Sequence, residues 1–136
     1  MKELKETVLT FYTQCLTVNS TSDAGAIMNL LLADDFKSEN ASGVKTKAAL
    51  IGQVQFFWKL IPDLKWIPKE VLQDGNKVIV RSIATGSPVG EFMGLTLDGS
   101  KSFNIMTIDI HTVENNQITQ VYHLEEWATA IAQLKG

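Results

Sequence analysis

The sequence predicts an α+β fold in which helices gather over one face of a curved antiparallel sheet. Three observations predict it. Apolar residues recur at helical spacing up to about residue 61, alternating β-branched runs bounded by turn dipeptides follow, and a short helical pattern closes the chain.

Leu4, Val8, Phe11, Tyr12 and Cys15 set the first helical stripe, over residues 3 to 17. "NSTSD" interrupts it with residues that cap helices rather than continue them. A short second helix runs from about Ala24 to Leu32 and buries Ile27, Met28, Leu30 and Leu31. A third begins near Thr46, with Leu50, Val54, Phe57, Trp58 and Ile61 along one stripe. Pro62 closes it, because the residue before a proline avoids helical geometry.

"LKWIPKEVLQ" reads as extended, with Pro68 confined to an edge or a bulge. Asp74-Gly75 turns the chain into "KVIVRSIAT". Gly86, Pro88, Gly90 and Gly94 mark a loop or a heavily bent strand, and Asp98-Gly99 turns again. "KSFNIMTIDIHTV" is the longest strand candidate. Asn115-Asn116 folds it back into "QITQVYHLEEW", and "ATAIAQL" ends the chain as a helix. The pattern amounts to a meander of about four antiparallel strands. A curved sheet under a helical cover leaves a conical hollow suited to a small molecule.

At 136 residues the chain makes one domain, 1–136, with a single core. Its 45% hydrophobic and 20% charged content is that of a soluble globular protein. A net charge of −3 with scattered basic residues leaves no footprint for nucleic acid or an anionic membrane. "MKELKETVLT" lacks the apolar core of a signal peptide, and no run approaches the roughly 20 residues of a bilayer span, so the cytoplasm is the expected location. Cys15 is the only cysteine, which excludes an intrachain disulfide, and its place on an apolar stripe reads as inert core.

The stretch "VYHLEEWATAIAQL" concentrates the polar chemistry. Alternate residues of a strand share a face. Ile118, Gln120, Tyr122, Leu124 and Glu126 form one set; Thr119, Val121, His123, Glu125 and Trp127 form the other. If the first set faces the hollow, Glu126 stands at its rim, where partial desolvation by Tyr122 and Leu124 lifts its pKa toward that of an acid/base working near neutrality. The opposing reading makes Glu125 and Glu126 a helix start, where carboxylates favour the positive end of the dipole. Spacing alone favours that second reading.

His123 and Glu125 share a strand face without a third ligand at matching spacing, so no metal is expected. His111, two residues after Asp109, reads with it as a solvated or interface pair. Arg81 within "VIVRSIAT" either reaches outward or holds a carboxylate or substrate oxygen inside. Trp58, Trp66, Phe57 and Tyr12 are large aromatics that either fill core or wall the hollow as substrate contacts. No phosphate loop and no nucleophile elbow is present. Any catalysis runs on carboxylate, histidine, tyrosine or arginine, with no cofactor expected.

Four stretches in order, "LLADDF", "FFWKLIPDLKW", "VIVRSIATGSPVGEFMGLTLDGSKSF" and "NQITQVYHLEEWATAIAQL", resemble the SnoaL-like polyketide cyclases, the ester cyclase group of the nuclear-transport-factor-2-like superfamily. The resemblance extends over most of the chain from Leu31 onward. It implies a cone-shaped barrel of strongly curved antiparallel sheet, N-terminal helices over one face, an internal pocket and a homodimer formed through the outer sheet face. It also implies a polyketide-like ligand and ring closure by intramolecular aldol condensation, with neither cofactor nor metal. In the family an acidic residue late in the last strand serves as acid/base. Glu126 matches that position, where relatives usually carry Asp, and His123, Glu125 and Trp127 complete its context. One segment departs: Pro88 in "GSPVGEF" stands where relatives carry a proton-exchanging histidine.

Three functions compete. In the first, an enzyme acts on a carbon acid: Glu126 removes a proton flanked by carbonyls, while Arg81, Tyr122 or His123 steadies the enolate oxygen. The alternative is a noncatalytic protein that holds an apolar metabolite, which Pro88 favours. The third is a structural dimer whose exposed strand face recruits another protein. The resemblance puts the enzyme first.

Overall fold

Two side-chain caps and a proline delimit the helical half of the chain, whose computed structural model describes residues 3–136. Helix α1 (Leu4–Phe11) runs into a π-helical turn, Tyr12–Leu16, which replaces the uninterrupted helix expected to residue 17. Asp23 accepts from the Ala26 N–H at 3.1 Å and opens α2 (Ala24–Leu31). Thr46 accepts from the Ala49 N–H at 3.3 Å and opens α3 (Lys47–Leu60), which ends just before Pro62. Trp58 of α3 donates its indole N–H to the Cys15 carbonyl at 2.8 Å, tying α3 to the π turn.

Between α2 and α3 lie two strands that periodicity did not reveal, β1 (Leu32–Asn40) and β2 (Gly43–Thr46). Their sequence, "LADDFKSEN" then "GVKT", is too polar to read as strand, because β1 buries only Leu32, Ala33, Phe36 and Ser38. There follow β3 (Lys65–Asp74), β4 (Lys77–Gly86), a small hairpin of β5 (Val89–Phe92) and β6 (Leu95–Asp98), then β7 (Phe103–Glu114) and β8 (Gln117–Glu125). Helix α4 (Trp127–Lys135) closes the chain. The main sheet has the order β2-β1-β8-β7-β4-β3, and β5-β6 stands apart from it.

The expected antiparallel meander is therefore present as β3-β4-β7-β8. It is extended by β1, which runs parallel to β8, and by β2. The sheet is curled with α1, α2 and α3 over its concave side, and its edges β2 and β3 do not pair to close a barrel. Among the described residues no helix is long and apolar enough to cross a membrane.

Irregularities in the ladder bend it. Pro68 lies on the edge strand β3 beside an extra residue, Lys69, so the proline meets both conditions open to it. On β8 the register jumps from Val113↔Ile118 to Thr112↔Gln120, leaving Thr119 without a partner. That bulge shifts the strand's phase. Ile118 is buried, and so is Val121 three residues later. Two-residue turns of positive φ at Asn115-Asn116 and Met93-Gly94 join β7 to β8 and β5 to β6, the conformation that suits tight hairpins.

Gly86 ends β4 under the aromatic core. A Cβ there would collide with Ile61 and press on the Phe103 ring. Gly52, inside α3, has open space around the same position. Gly86→Ala should therefore lose about 1–3 kcal/mol in urea unfolding through overpacking. Gly52→Ala should gain about 0.5–1 kcal/mol, because alanine loses less backbone entropy in a helix.

Candidate active site

A cavity of about 230 Å³ opens between the concave sheet face and α1 and α3. Its apolar wall includes Phe11, Leu50, Val54, Phe57, Trp66 and Val121. Met93, at the tip of the β5-β6 hairpin, borders the opening. Trp127 joins the wall within a cluster of edge-on aromatic contacts to Phe57, Trp66, Phe92 and Phe103.

The chemistry at the floor comes from one face of β7 and β8. Asp109 and His111 alternate with Ile108 and Ile110 along β7, and the polar pair faces inward: Asp109 is 5% exposed and His111 1%. They are not the solvated or interface pair that the sequence suggested. Tyr12 of the π turn lies behind them, its hydroxyl 2.5 Å from Asp109 Oδ2 and 2.8 Å from His111 Nε2. A phenol has one proton to give. Donated to the Asp109 carboxylate, it leaves the tyrosine oxygen to accept from His111 Nε2–H, and His111 Nδ1 is then a buried acceptor with no partner among the described residues.

His123 stands opposite Asp109 on the β7–β8 ladder, where facing Cβ atoms are roughly 4.5–5.5 Å apart. Its Nδ1 contacts Glu125 Oε2 at 2.7 Å, and Glu125 Oε1 accepts the Trp127 indole N–H at 3.1 Å. The carboxylate thus fixes the imidazole's orientation and leaves Nε2 uncommitted.

Burial is the largest influence on Asp109 and raises its carboxyl to about 7. The Tyr12 hydrogen bond opposes this, the Glu125 charge reinforces it and His123 opposes it. Burial, then the charge of Asp109, holds the Tyr12 phenol well above its ordinary range, so it stays protonated. Burial alone lowers His111 to about 3.

The strand phase at the chain's end is the reverse of the one that would bring Glu126 to the rim, because the Thr119 bulge turns the other set inward. Val121, His123, Glu125 and Trp127 line the cavity. Tyr122 is 50% exposed and Leu124 70%, both on the outer face. Glu126 is exposed at the N-cap position of α4, outside the cavity. Its Oε1 accepts the Met106 N–H at 2.9 Å while its own N–H donates to the Met106 carbonyl at 3.3 Å. It thereby continues the β7 ladder where β8 ends.

Of the other candidates, Phe57 and Trp66 line the cavity. Arg81 takes the outward course, its Nε 3.0 Å from Glu70 Oε1 on the outer face. Trp58 borders a separate shallow cleft with Asp23 and Lys59, drawn there by its bond to Cys15. Tyr12 is fully buried behind Asp109 and does not line the cavity. Asp109, read from the sequence as part of a solvated or interface pair, lies instead in the cavity wall, and Ser38, Asn40 and Lys45 line it without any signal in the sequence. Both faces of β7 carry apolar residues, so alternation offered no signal for choosing between them.

Asp109 and His111 act oppositely on stability. Folded Asp109 keeps a proton that the unfolded chain releases, so its contribution is full below its ordinary 3.8 and is lost as pH rises to about 7. Folded His111 refuses a proton that the unfolded chain takes up, so its contribution is full above its ordinary 6.5 and is lost as pH falls toward 3. Between about pH 4 and 6.5 the two slopes cancel. Asp109→Asn should uncover the histidine slope: unfolding free energy should rise with pH across that interval, by up to about 1.4 kcal/mol per unit. A profile in the variant that stays parallel to wild type would overturn the assignment.

The profile of the SnoaL-like polyketide cyclases matches residues 6–134. Among solved structures, wild-type IdmH from Streptomyces antibioticus superposes with a TM-score of 0.81 at 20% identity, covering 99% of this chain and 100% of that one. A SnoaL-like polyketide cyclase from Agrobacterium tumefaciens gives 0.79 at 16% identity, with both chains covered completely. TsrD from Streptomyces laurentii gives 0.77 at 18%, covering 96% of this chain and 91% of its own. These likenesses establish the fold. No match was found among curated proteins. With the family profile spanning nearly its whole length and the same curled sheet beneath helices, the chain belongs to the SnoaL-like polyketide cyclase family.

Proposed function

We propose that the protein is a cofactor-independent enzyme that enolises a compact carbon acid and closes or rearranges its skeleton, with Asp109 and His123 as the acid/base pair. The observation that carries the reading is Asp109: a carboxyl buried at the floor of an apolar cavity and raised to about 7, so that both protonation states are populated near neutrality. The role expected of Glu126 passes to this residue, because Glu126 lies outside the cavity.

Tyr12 occupies Asp109 Oδ2, leaving Oδ1 for a substrate C–H. Proton abstraction turns carboxylate into carboxylic acid and the substrate into an enolate. His123 serves here as the imidazolium, its Nδ1–H held by the Glu125 carboxylate, so that Nε2–H donates a hydrogen bond to the enolate oxygen. In an aldol step the enolate carbon then bonds to the substrate's own carbonyl carbon, and the new alkoxide receives its proton from the pair. The surrounding aromatic wall excludes water from these charges.

The partner we propose is a second copy of the chain, seated on the outer face of the sheet. There Leu72, Ile79, Ile110 and Tyr122 fall in one cross-strand row, and Ile108 and Leu124 lie in the next. So much exposed apolar surface in one patch marks an interaction site.

Enzyme-catalysed deuterium exchange at the α-carbon of a slowly exchanging ketone such as α-tetralone tests the chemistry without knowledge of the natural substrate. Asp109→Asn should lower the rate by about 10²–10⁴-fold, and Glu126→Gln should leave it within about twofold. The opposite order of effects would overturn the assignment. Sedimentation tests the partner: wild type should run at twice the mass of the Ile110→Lys, Leu124→Lys double variant, and a monomeric wild type would refute it.

A further inference from the structure

We propose that the opening of the cavity is an anion subsite built on Lys45 with Ser38 and Asn40. The occupant is then a compact apolar acid whose carboxylate meets Lys45 while its ring and acidic C–H reach inward to Asp109. The direction of the ligand rests on the acid/base reading of Asp109; the subsite does not.

The register puts the two ends of the cavity at opposite ends of one sheet row. Lys45 faces Ser38, Ser38 faces Val121, and Val121 faces His111. Three interstrand steps of about 4.8 Å separate β2 from β7, roughly 14 Å along the sheet and less across its hollow. Asp109 lies two residues from His111 on the same face.

Charge is segregated along that row. Lys45 is the one lysine or arginine lining the cavity, and among the described residues it has no carboxylate or hydrogen-bond partner. Four other cations are engaged: Lys47 with Asp34 and the Asn29 carbonyl, Arg81 with Glu70, Lys77 with Thr112 and Lys101 with the last carbonyls of α4. The remaining described lysines are exposed or half-buried elsewhere; what sets Lys45 apart is its place in the cavity wall. Beside Lys45, Ser38 is only 3% exposed, yet its hydroxyl makes no hydrogen bond among the described residues. Asn40 uses its oxygen to accept from Ser42 N–H, which leaves its amide N–H groups uncommitted. The opening thus presents an ammonium, a hydroxyl and an amide as donors.

The carboxylates sit at the other end, where Asp109 is held by Tyr12 and Glu125 by His123 and Trp127. Glu39, next to Ser38 in sequence, pairs with Tyr122 and points to the outer face. An acid entering carboxylate-first would meet Asp109 and Glu125. Entering ring-first, it leaves its charge at the donors, so one orientation is favoured. Between the ends the walls are apolar, formed by Leu50, Phe57, Trp66 and Val121. The volume of about 230 Å³ lies below the usual span of about 300–1,000 Å³ for ligand clefts, which limits the occupant to one or two rings.

Calorimetric titration of 2-naphthoate and of its uncharged carboxamide, at about pH 8 and about 50 mM salt, tests the subsite by binding alone. Wild type should hold the acid at least about tenfold more tightly than the amide. Lys45→Met should bring the two within about twofold, Lys45→Arg should keep most of the preference, and added salt should erode it. Asp109→Asn should keep the preference, since it alters the opposite end. Equal affinities in wild type, binding of neither probe, or a preference that survives Lys45→Met would overturn the subsite and leave the deuterium-exchange result for Asp109 standing. Wild-type exchange by Asp109→Asn together with a Lys45-dependent preference would overturn the acid/base reading alone.

Discussion

One unpaired residue decides which side of β8 meets the hollow. With Thr119 bulged out of the ladder, Ile118 and Val121 are both buried, and every later residue of the strand changes face relative to simple alternation. His123 and Glu125 are thereby turned inward, opposite Asp109 and Thr107. Tyr122 and Leu124 are turned out. Without the bulge, the imidazole and its supporting carboxylate would sit in solvent and two large apolar side chains would fill the cavity. A single-residue slip exchanges the two faces of a strand, and here it is made mid-strand rather than at a turn.

The polar floor costs stability that an all-apolar core would not lose. A carboxyl, a phenol and an imidazole share a buried site, and one ring nitrogen has no partner among the described residues. Such a concentration persists because the surrounding elements leave it no alternative arrangement. The π turn presents Tyr12 to β7, and the Trp58 indole fastens that turn to α3. Trp66 is fixed in the wall by its own bond to Thr107 at 2.9 Å. A π turn within a helix often accompanies a functional site, and in this chain it carries the residue that holds the buried acid.

The class of fold was legible because its signals are redundant: helical stripes, caps, turn dipeptides and a late alternating region all agree. Pro68, Asn115-Asn116 and the capping residues Asp23 and Thr46 each carry a local constraint that survives any tertiary context. Strands β1 and β2 escaped because a strand with one wet face and several charges has little hydrophobic signature. The site was legible only in its parts. His123, Glu125 and Trp127 stood out as a cluster, but the bulge that orients them has no composition of its own. Asp109 was hidden for a different reason: Ile108 and Ile110 invite an inward reading of the wrong face. Tyr12 reads from the sequence as core or as a wall of the hollow, whereas its role is to hold another side chain.

The two free borders of the sheet have a bearing on self-association. A long, flat border with unpaired amides would invite strand-by-strand polymerisation. On this molecule β2 is only four residues long, and β3 opens with Lys65 and is interrupted by Pro68 and the unpaired Lys69. Neither is a good template for an added chain. Growth along the hydrogen-bonding direction is therefore blocked at both ends, which leaves the apolar convex surface free to be sticky without starting a fibre.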